Sequence, residues 1–318
     1  MAAPHDFDAV VFSGGGATAG VFIGAARYLE HVGVLPGAVR TFAGTSAGAM
    51  MALFCALGWN AKRVQAWVLR YLPDLSEVDV EGILELPTRL GLDDGARLEA
   101  ALRAALPASW GGAVTFVELA KRTGRHLVIC AANVTLSRSE FLSIDTAPDL
   151  DVVKAVRMSA SVPLVFSPVT HQGCLYVDGA LYDNLPTGFA SASALRSRRT
   201  LAINVDLPFF RRGAEQPSAG TDAEPPQPPG LVEFLYMLVR AAVVGANGGG
   251  AAAAAQDGSV VRVDIKPYES AGSTCGYFCA KTMRFNIDEA DVRAMADHGY
   301  ERTREALLPT SVGGTSGG

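Results

Sequence analysis

The sequence predicts a three-layer α/β/α sandwich around a largely parallel central sheet. Three observations point to it. A short apolar strand, a glycine-rich turn and a helix follow one another twice near the N-terminus, the grammar of strands joined by crossover helices. Apolar residues make up 49% of the 318-residue chain and charged residues 19%, which suits a globular enzyme with a sizeable core. A late strand and a late helix lie beyond a Pro/Gly-rich stretch and still need a sheet to join. A single domain over residues 7–308 is therefore expected.

The elements follow in order. "DAVVFS" (8–13) reads as a buried strand running into "GGGATAG". Residues 20–33 carry apolar positions at helical spacing, Val21, Ala25, Tyr28, Leu29 and Val32, with Gly33 as the stop. Residues 40–43 form the second strand, and 47–57 a small-residue helix ending near Gly58. Helices are expected at 60–71 and at 93–106, the latter capped by Asp93 or Asp94. Thr115 with Glu118 three residues on forms a capping box for a helix at 115–123. "HLVICAANV" (126–134) is a buried strand, 149–161 a helix stopped before Pro163. Residues 174–180 and 200–207 are strands. The stretch 211–230 buries little and reads as a flexible loop. A helix at 231–244, a strand at 259–265 and a helix at 287–307 follow, then a Gly/Ser/Thr-rich tail at 309–318 expected to be disordered.

Composition excludes several functions. The formal charge of -5 supplies no basic field for nucleic acid. Cys55, Cys130, Cys174, Cys275 and Cys279 form no paired framework, and no His/Cys cluster completes a metal site around Cys275 and Cys279. The N-terminus lacks the basic and apolar regions of a secretory signal, and no apolar run is long enough to span a bilayer. An intracellular, cytoplasmic location is the expectation.

Chemistry concentrates in two glycine turns. Gly44-Thr45-Ser46-Ala47-Gly48 matches G-x-S-x-G, which between a strand and a helix forms a nucleophile elbow with an exposed serine hydroxyl. The bland reading is a serine kept in a tight turn for its size. Gly14, Gly15 and Gly16 form the other turn. A P-loop fails for want of a lysine, and a dinucleotide fingerprint fails for want of an acidic residue at the end of the second strand. The third reading is an oxyanion hole, in which glycine N–H groups face a developing negative charge. For a base, none of His5, His31, His126, His171 and His298 has motif context; a Ser–Asp–His order would require His298. Asp178 does have context, ending an apolar strand at a Gly turn, though an Asp-Gly pair is also an ordinary turn. Asp183 lies in a polar, exposed-looking "YDN". Ser159 and Ser161 read as a small-residue helix end packed near the site.

The glycine triplet, "GTSAG", "SASVPLVFSP" and "DGALYDNLP", in this order, together resemble the patatin-like phospholipases over roughly residues 7–208. The resemblance implies a lipid acyl hydrolase with a Ser–Asp dyad and no histidine. Ser46 would be the nucleophile and Asp178 the proton acceptor. Gly14, Gly15 and Gly16, with Ala47, would form the oxyanion hole. Gly44 and Gly48 would shape the elbow, Gly179 and Ala180 the turn after Asp178, and Asn184 and Pro186 would match structural positions. No metal or cofactor is implied. The substrate would be a phospholipid or neutral lipid, reached by peripheral contact with a membrane surface; helix 231–244 reads equally as a lid or as a core helix.

One departure stands out. The family has a basic residue where this chain has Thr18 and glycine where it has Ala19. A positive φ at residue 19 would cost alanine about 1–2 kcal/mol. On that basis a catalytically weak, lipid-surface binding or regulatory protein is the alternative.

Overall fold

The computed structural model describes residues 6–37, 39–76, 82–189, 199–206, 259–266, 268, 278–279, 284–285 and 287–308. The expected loop at 211–230, helix at 231–244 and tail at 309–318 lie outside the described residues. Strand β1 (Ala9–Phe12) leads through a 3-10 turn (Gly16–Ala19) into α1 (Gly20–His31). Strand β2 (Thr41–Thr45) leads directly into α2 (Ala47–Ala56). Then come α3 (Ala61–Ser76), α4 (Gly82–Arg89), β3 (Gly91–Asp93), α5 (Ala96–Arg103) and α6 (Phe116–Thr123). Strands β4 (His126–Asn133) and β5 (Arg138–Ser143) form a hairpin, followed by α7 (Val152–Ser159). Short β6 (Leu164–Phe166), β7 (Val169–His171) and β8 (Cys174–Asp178) precede β9 (Thr200–Val205) and β10 (Val260–Ile265). The pair β11 (Phe278–Cys279) and β12 (Arg284–Phe285) is followed by α8 (Glu289–Leu307).

The central sheet has eight strands. β10, β9, β1, β2 and β4 run parallel in that order, while β5, β8 and β7 pair antiparallel at the far end. Alternation along β1 divides the core between the two faces of the sheet. Val10 and Phe12 join the large cluster under α1, α2 and α8; Ala9 and Val11 join a smaller one with Leu185 and Phe189. Each buried side chain of this size is worth about 1.5–3 kcal/mol. Helices α1 and α8 meet backbone to backbone. A Cβ on Gly24 would strike the Ala296 carbonyl, and one on Gly299 the Val21 carbonyl.

Several elements differ from the sequence expectation. Strands β3, β5, β6, β7, β11 and β12 and helix α4 are additions. Asp93 belongs to β3, paired with Phe166, so α5 starts at Ala96. Gly95, with φ +75°, is the N-cap in place of the expected Asp93 or Asp94, whose carboxylates instead accept the N–H groups of Gly95 and Ala96 two residues on. Helix α7 starts at Val152 because Asp151 caps it, accepting the Lys154 N–H at 2.8 Å. The Thr115–Glu118 capping box is present in full, and Gly33 follows α1 with φ +75°.

The register places the site. β2 pairs with β4 from Thr41↔His126 to Thr45↔Cys130, and β8 pairs with β4 from Asn133↔Tyr176 to Ala131↔Asp178. β5 occupies the other edge of β4 from Val128 to Asn133. Hence β2 and β8 share one edge of β4 and approach head to head. Their last residues, Thr45 and Asp178, sit one strand step apart, about 3.3 Å along β4.

Candidate active site

Ser46 follows Thr45 at the end of β2, with φ 56° and ψ −124°. That backbone conformation is uncommon for a residue with a side chain and stores strain of about 1–3 kcal/mol. It is enforced by crowding. A Cβ on Gly44 would strike the Gly48 carbonyl, and one on Gly48 the carbonyls of Phe12 and Ser13. Neither glycine is spared for its φ; both are there because the strand and helix cross with no room for a side chain. The Ser46 N–H donates to Ser159 Oγ at 2.8 Å, and Ser159 Oγ donates to the Cys130 carbonyl at 2.5 Å.

Asp178 ends β8 and is buried. Its Oδ1 accepts the Ala180 N–H at 2.9 Å. Its own N–H donates to the Ser161 carbonyl at 2.9 Å. Burial raises its carboxyl to about 6, against the opposing pull of hydrogen bonds from Ser46 and from the Ala180 N–H. The tight turn at Gly179 brings its backbone against the Cys130 carbonyl, where a Cβ would not fit.

Asp183 is partly buried, contrary to the exposed position expected from its polar neighbours. Burial raises its carboxyl to about 6, opposed by the Leu185 N–H. Its carbonyl accepts the Thr45 hydroxyl at 3.0 Å, tying the Asp178 turn to the end of β2.

Ser159 and Ser161, expected to pack passively, instead hold the two ends together. One contacts the Ser46 backbone, the other the Asp178 backbone. Ser161 is fixed in turn by Arg157, which is 3% exposed. The Arg157 guanidinium donates to Ser161 Oγ at 2.5 Å, the Asp94 carbonyl at 2.8 Å and the Ser167 carbonyl at 3.1 Å. The sequence signal was an arginine on an apolar helix face followed by two alternating serines before a proline. A buried arginine requires a full set of acceptors.

The glycine turn after β1 faces Ser46 across the same cavity. Gly16 adopts φ +48° with open space where a Cβ would stand. The Gly14 N–H donates to the Asn184 carbonyl at 2.9 Å, so the expectation of Gly14 as an oxyanion donor is corrected: that N–H braces the turn. Among the described residues, no hydrogen bond engages the N–H groups of Gly15 or Gly16. Thr18 is buried and its hydroxyl donates to the Gly15 carbonyl at 2.7 Å. Ala19 has φ −63°, so the strain expected at an alanine here does not arise; the positive φ falls on Gly16.

Among the described residues, no histidine bonds Ser46 or Asp178. The His298 Nε2 lies 2.9 Å from the Lys266 carbonyl and His31 Nδ1 2.6 Å from the Tyr300 hydroxyl. A cavity of about 200 Å³ opens at Ser46 and is lined almost wholly by apolar side chains from α1, α2, α3 and α8. Among the described residues, no cluster of metal-ligating side chains occurs and no helix is long and apolar enough to cross a membrane.

The model of the patatin-like phospholipases matches residues 10–191. The chain is 24% identical over 190 residues to a protein named probable lipid hydrolase 463L of Invertebrate iridescent virus 6, covering 59% of this chain and 64% of that protein. It is 34% identical over 222 residues to the uncharacterized protein YqhO of Bacillus subtilis (strain 168), covering 62% and 70%. Its fold is similar to that of VipD from Legionella pneumophila, with a TM-score of 0.50 at 16% identity, over 95% of this chain and 66% of VipD. The chain thus spans just under two thirds of the length of 463L and of VipD.

Proposed function

The chain belongs to the patatin-like phospholipase family, and from that premise we propose that it is a lipid acyl hydrolase in which Ser46 is the nucleophile and Asp178 the proton acceptor. One observation carries the reading. A serine held at φ 56° stands at the end of β2 beside the end of β8, where a buried carboxylate has a raised affinity for a proton, at an apolar cavity. The name of the viral relative, a probable lipid hydrolase, agrees with it.

Asp178 takes the Ser46 proton as Oγ attacks the ester carbonyl. A carboxyl near 6 is a stronger base than an ordinary aspartate and is still ionised at neutral pH. The tetrahedral oxyanion is stabilised by N–H groups of Gly15 and Gly16, with that of Ala47 at the start of α2. Collapse breaks the ester bond, and the alcohol leaves with the proton from Asp178. Water then attacks the acyl-enzyme while Asp178 takes its proton, and the fatty acid departs as the proton returns to Ser46. Gly44 and Gly48 keep the elbow closed. Gly179 and Ala180 orient Asp178 through the turn and the Ala180 N–H. The proposed substrate is a phospholipid or neutral lipid met at a membrane surface. A lipid-binding role without turnover drew on the altered Thr18-Ala19 pair; the helical φ of Ala19 removes the strain from that argument and leaves only the basic residue absent at Thr18.

Hydrolysis of p-nitrophenyl esters and a phospholipid panel, without added metal, tests the proposal. Activity should vanish in Ser46→Ala and Asp178→Asn and persist in His298→Ala. An active Ser46→Ala enzyme would sink it, as would a folded wild type inert on every ester.

A further inference from the structure

We infer that the substrate's acyl chain lies along α2 and that Phe54 and Trp67 close the far end of its cavity, so that this aromatic wall selects medium-length chains. The inference rests on the acyl-hydrolase reading. Ser46 caps the N-terminus of α2, and the residues of α2 that line the cavity are Ala47, Met50, Met51 and Phe54. Their spacing is i, i+3, i+4, i+7, a single stripe down one helix face. A chain esterified to Ser46 would therefore follow that stripe. Among the described lining residues, Ser46 alone carries a hydroxyl and none is charged, so nothing along the path offers a hydrogen bond to a headgroup or sugar.

The helix sets the length. From Ala47 to Phe54 it rises about 10 Å, the reach of roughly eight carbons in an extended chain.

The wall is rigid where the middle of the path is soft. Phe54 and Trp67 meet with ring centroids 4.9 Å apart at 57°. Phe54 is stacked on Trp59 at 4.9 Å and 7°, and Trp67 rests on Tyr71 at 5.2 Å. The Trp67 indole N–H donates to the Ala101 carbonyl at 3.1 Å, pinning it to α5. Met50 and Met51, midway, can change rotamer to fit a kinked chain. Phe54 and Trp67 cannot move aside without breaking the stack and the hydrogen bond, so they, not the methionines, decide where a chain must stop.

The test is the ratio of kcat/KM for p-nitrophenyl butyrate, octanoate, dodecanoate and palmitate in wild type, Trp67→Ala and the milder Phe54→Leu, with thermal melts to verify folding. The wild type should peak near octanoate. Trp67→Ala should raise the dodecanoate-to-octanoate ratio about tenfold, and Phe54→Leu should move it the same way by less. Ser46-dependent activity with an unchanged ratio in both variants would overturn the wall while leaving the hydrolase reading intact. A second readout is independent of turnover. Octanoate, decanoate and dodecanoate are titrated into Ser46→Ala protein and followed by tryptophan fluorescence. Each buried methylene is worth about fourfold in affinity. That gain should stop near octanoate and resume up to dodecanoate in the Ser46→Ala, Phe54→Leu double variant. Affinity that climbs past octanoate before the wall is altered would refute the inference. A wild type without esterase activity would instead refute the hydrolase reading.

Discussion

The turns after β1 and β2 look alike in sequence, each a short strand, a run of small residues and a helix, and they stand side by side with Phe12 opposite Gly44. They use glycine for opposite reasons. After β1, Gly16 supplies a positive φ in open space. After β2, the positive φ falls on Ser46, while Gly44 and Gly48 merely vacate room. Strain carried by a residue with a side chain is retained where that side chain is needed. On the proposed mechanism the first turn presents backbone N–H groups and the second a hydroxyl.

The sharpest way to break this comparison is at Ser46. Ser46→Ala should lower kcat by about 10⁴–10⁶. Ser46→Gly should be equally inactive yet more stable than Ser46→Ala, by about 1 kcal/mol, read from paired denaturant melts. Equal stability of the two would mean that Ser46 carries no strain.

Asp178→Asn should lower kcat by about 10³–10⁴. The raised carboxyl also fixes a sign. Protonated Asp178 is preferred in the folded state, so its contribution to stability is fullest below the unfolded value of 3.8 and is lost as pH rises through about 6. Asp183, also raised to about 6 by burial, loses stability in the same window. Wild-type kcat/KM should climb about tenfold per pH unit up to about 6 and then level. Asp178→Asn should match the wild type in melting temperature at about pH 3, below both values, and exceed it at about pH 7, where the wild type must bury a charge. A lower melting temperature at neutral pH would show that the Asp178 carboxylate stabilises the fold instead.

Substituting the glycines separates their two uses. Gly48→Ala overlaps the backbone of β1 and should destabilise by about 3 kcal/mol or more. Gly16→Ala meets no atom and should cost only about 1–2 kcal/mol, from φ alone. Equal losses in chemical denaturation would erase the distinction.

Ser159→Ala withdraws the acceptor from the Ser46 N–H. It should lower kcat by about 10–100-fold with KM unchanged, a loss of about 1–3 kcal/mol in holding the elbow. A rise in KM alone would mark Ser159 as part of the cavity wall. The smallest effect is expected at Ala19→Gly. Because Ala19 is already helical, kcat should not change, and stability should fall by about 0.5–1 kcal/mol. A gain in rate would reinstate Ala19 as a handicap.

Much of the fold was legible because its signals are local. The Thr115 box and the Gly33 stop each depend on neighbours a turn away. Strand β5 escapes the sequence reading because "RSEFLS" opens with three polar residues and grades from exposed to buried, with no two-residue alternation to mark a strand. β6 and β7 are three residues each and carry no measurable period. Asp93 reads as a cap because an aspartate just ahead of a helix has that local signature; that it pairs with Phe166 in a strand, leaving Gly95 as the cap, depends on residues far along the chain.

By itself the sequence determined the two glycine turns, the candidate serine and an aspartate ending an apolar strand. Small residues and a strand-to-helix switch restrict φ, ψ and space within five or six positions, and that information is complete locally. The tertiary structure decided which carboxylate the serine meets, which glycine N–H is consumed and which serines brace the pair. Those outcomes follow from β2 and β8 sharing one edge of β4, with Arg157 buried behind Ser161. Register along a shared edge is a long-range choice, made by which apolar faces can be buried together, and no short stretch of the chain contains it.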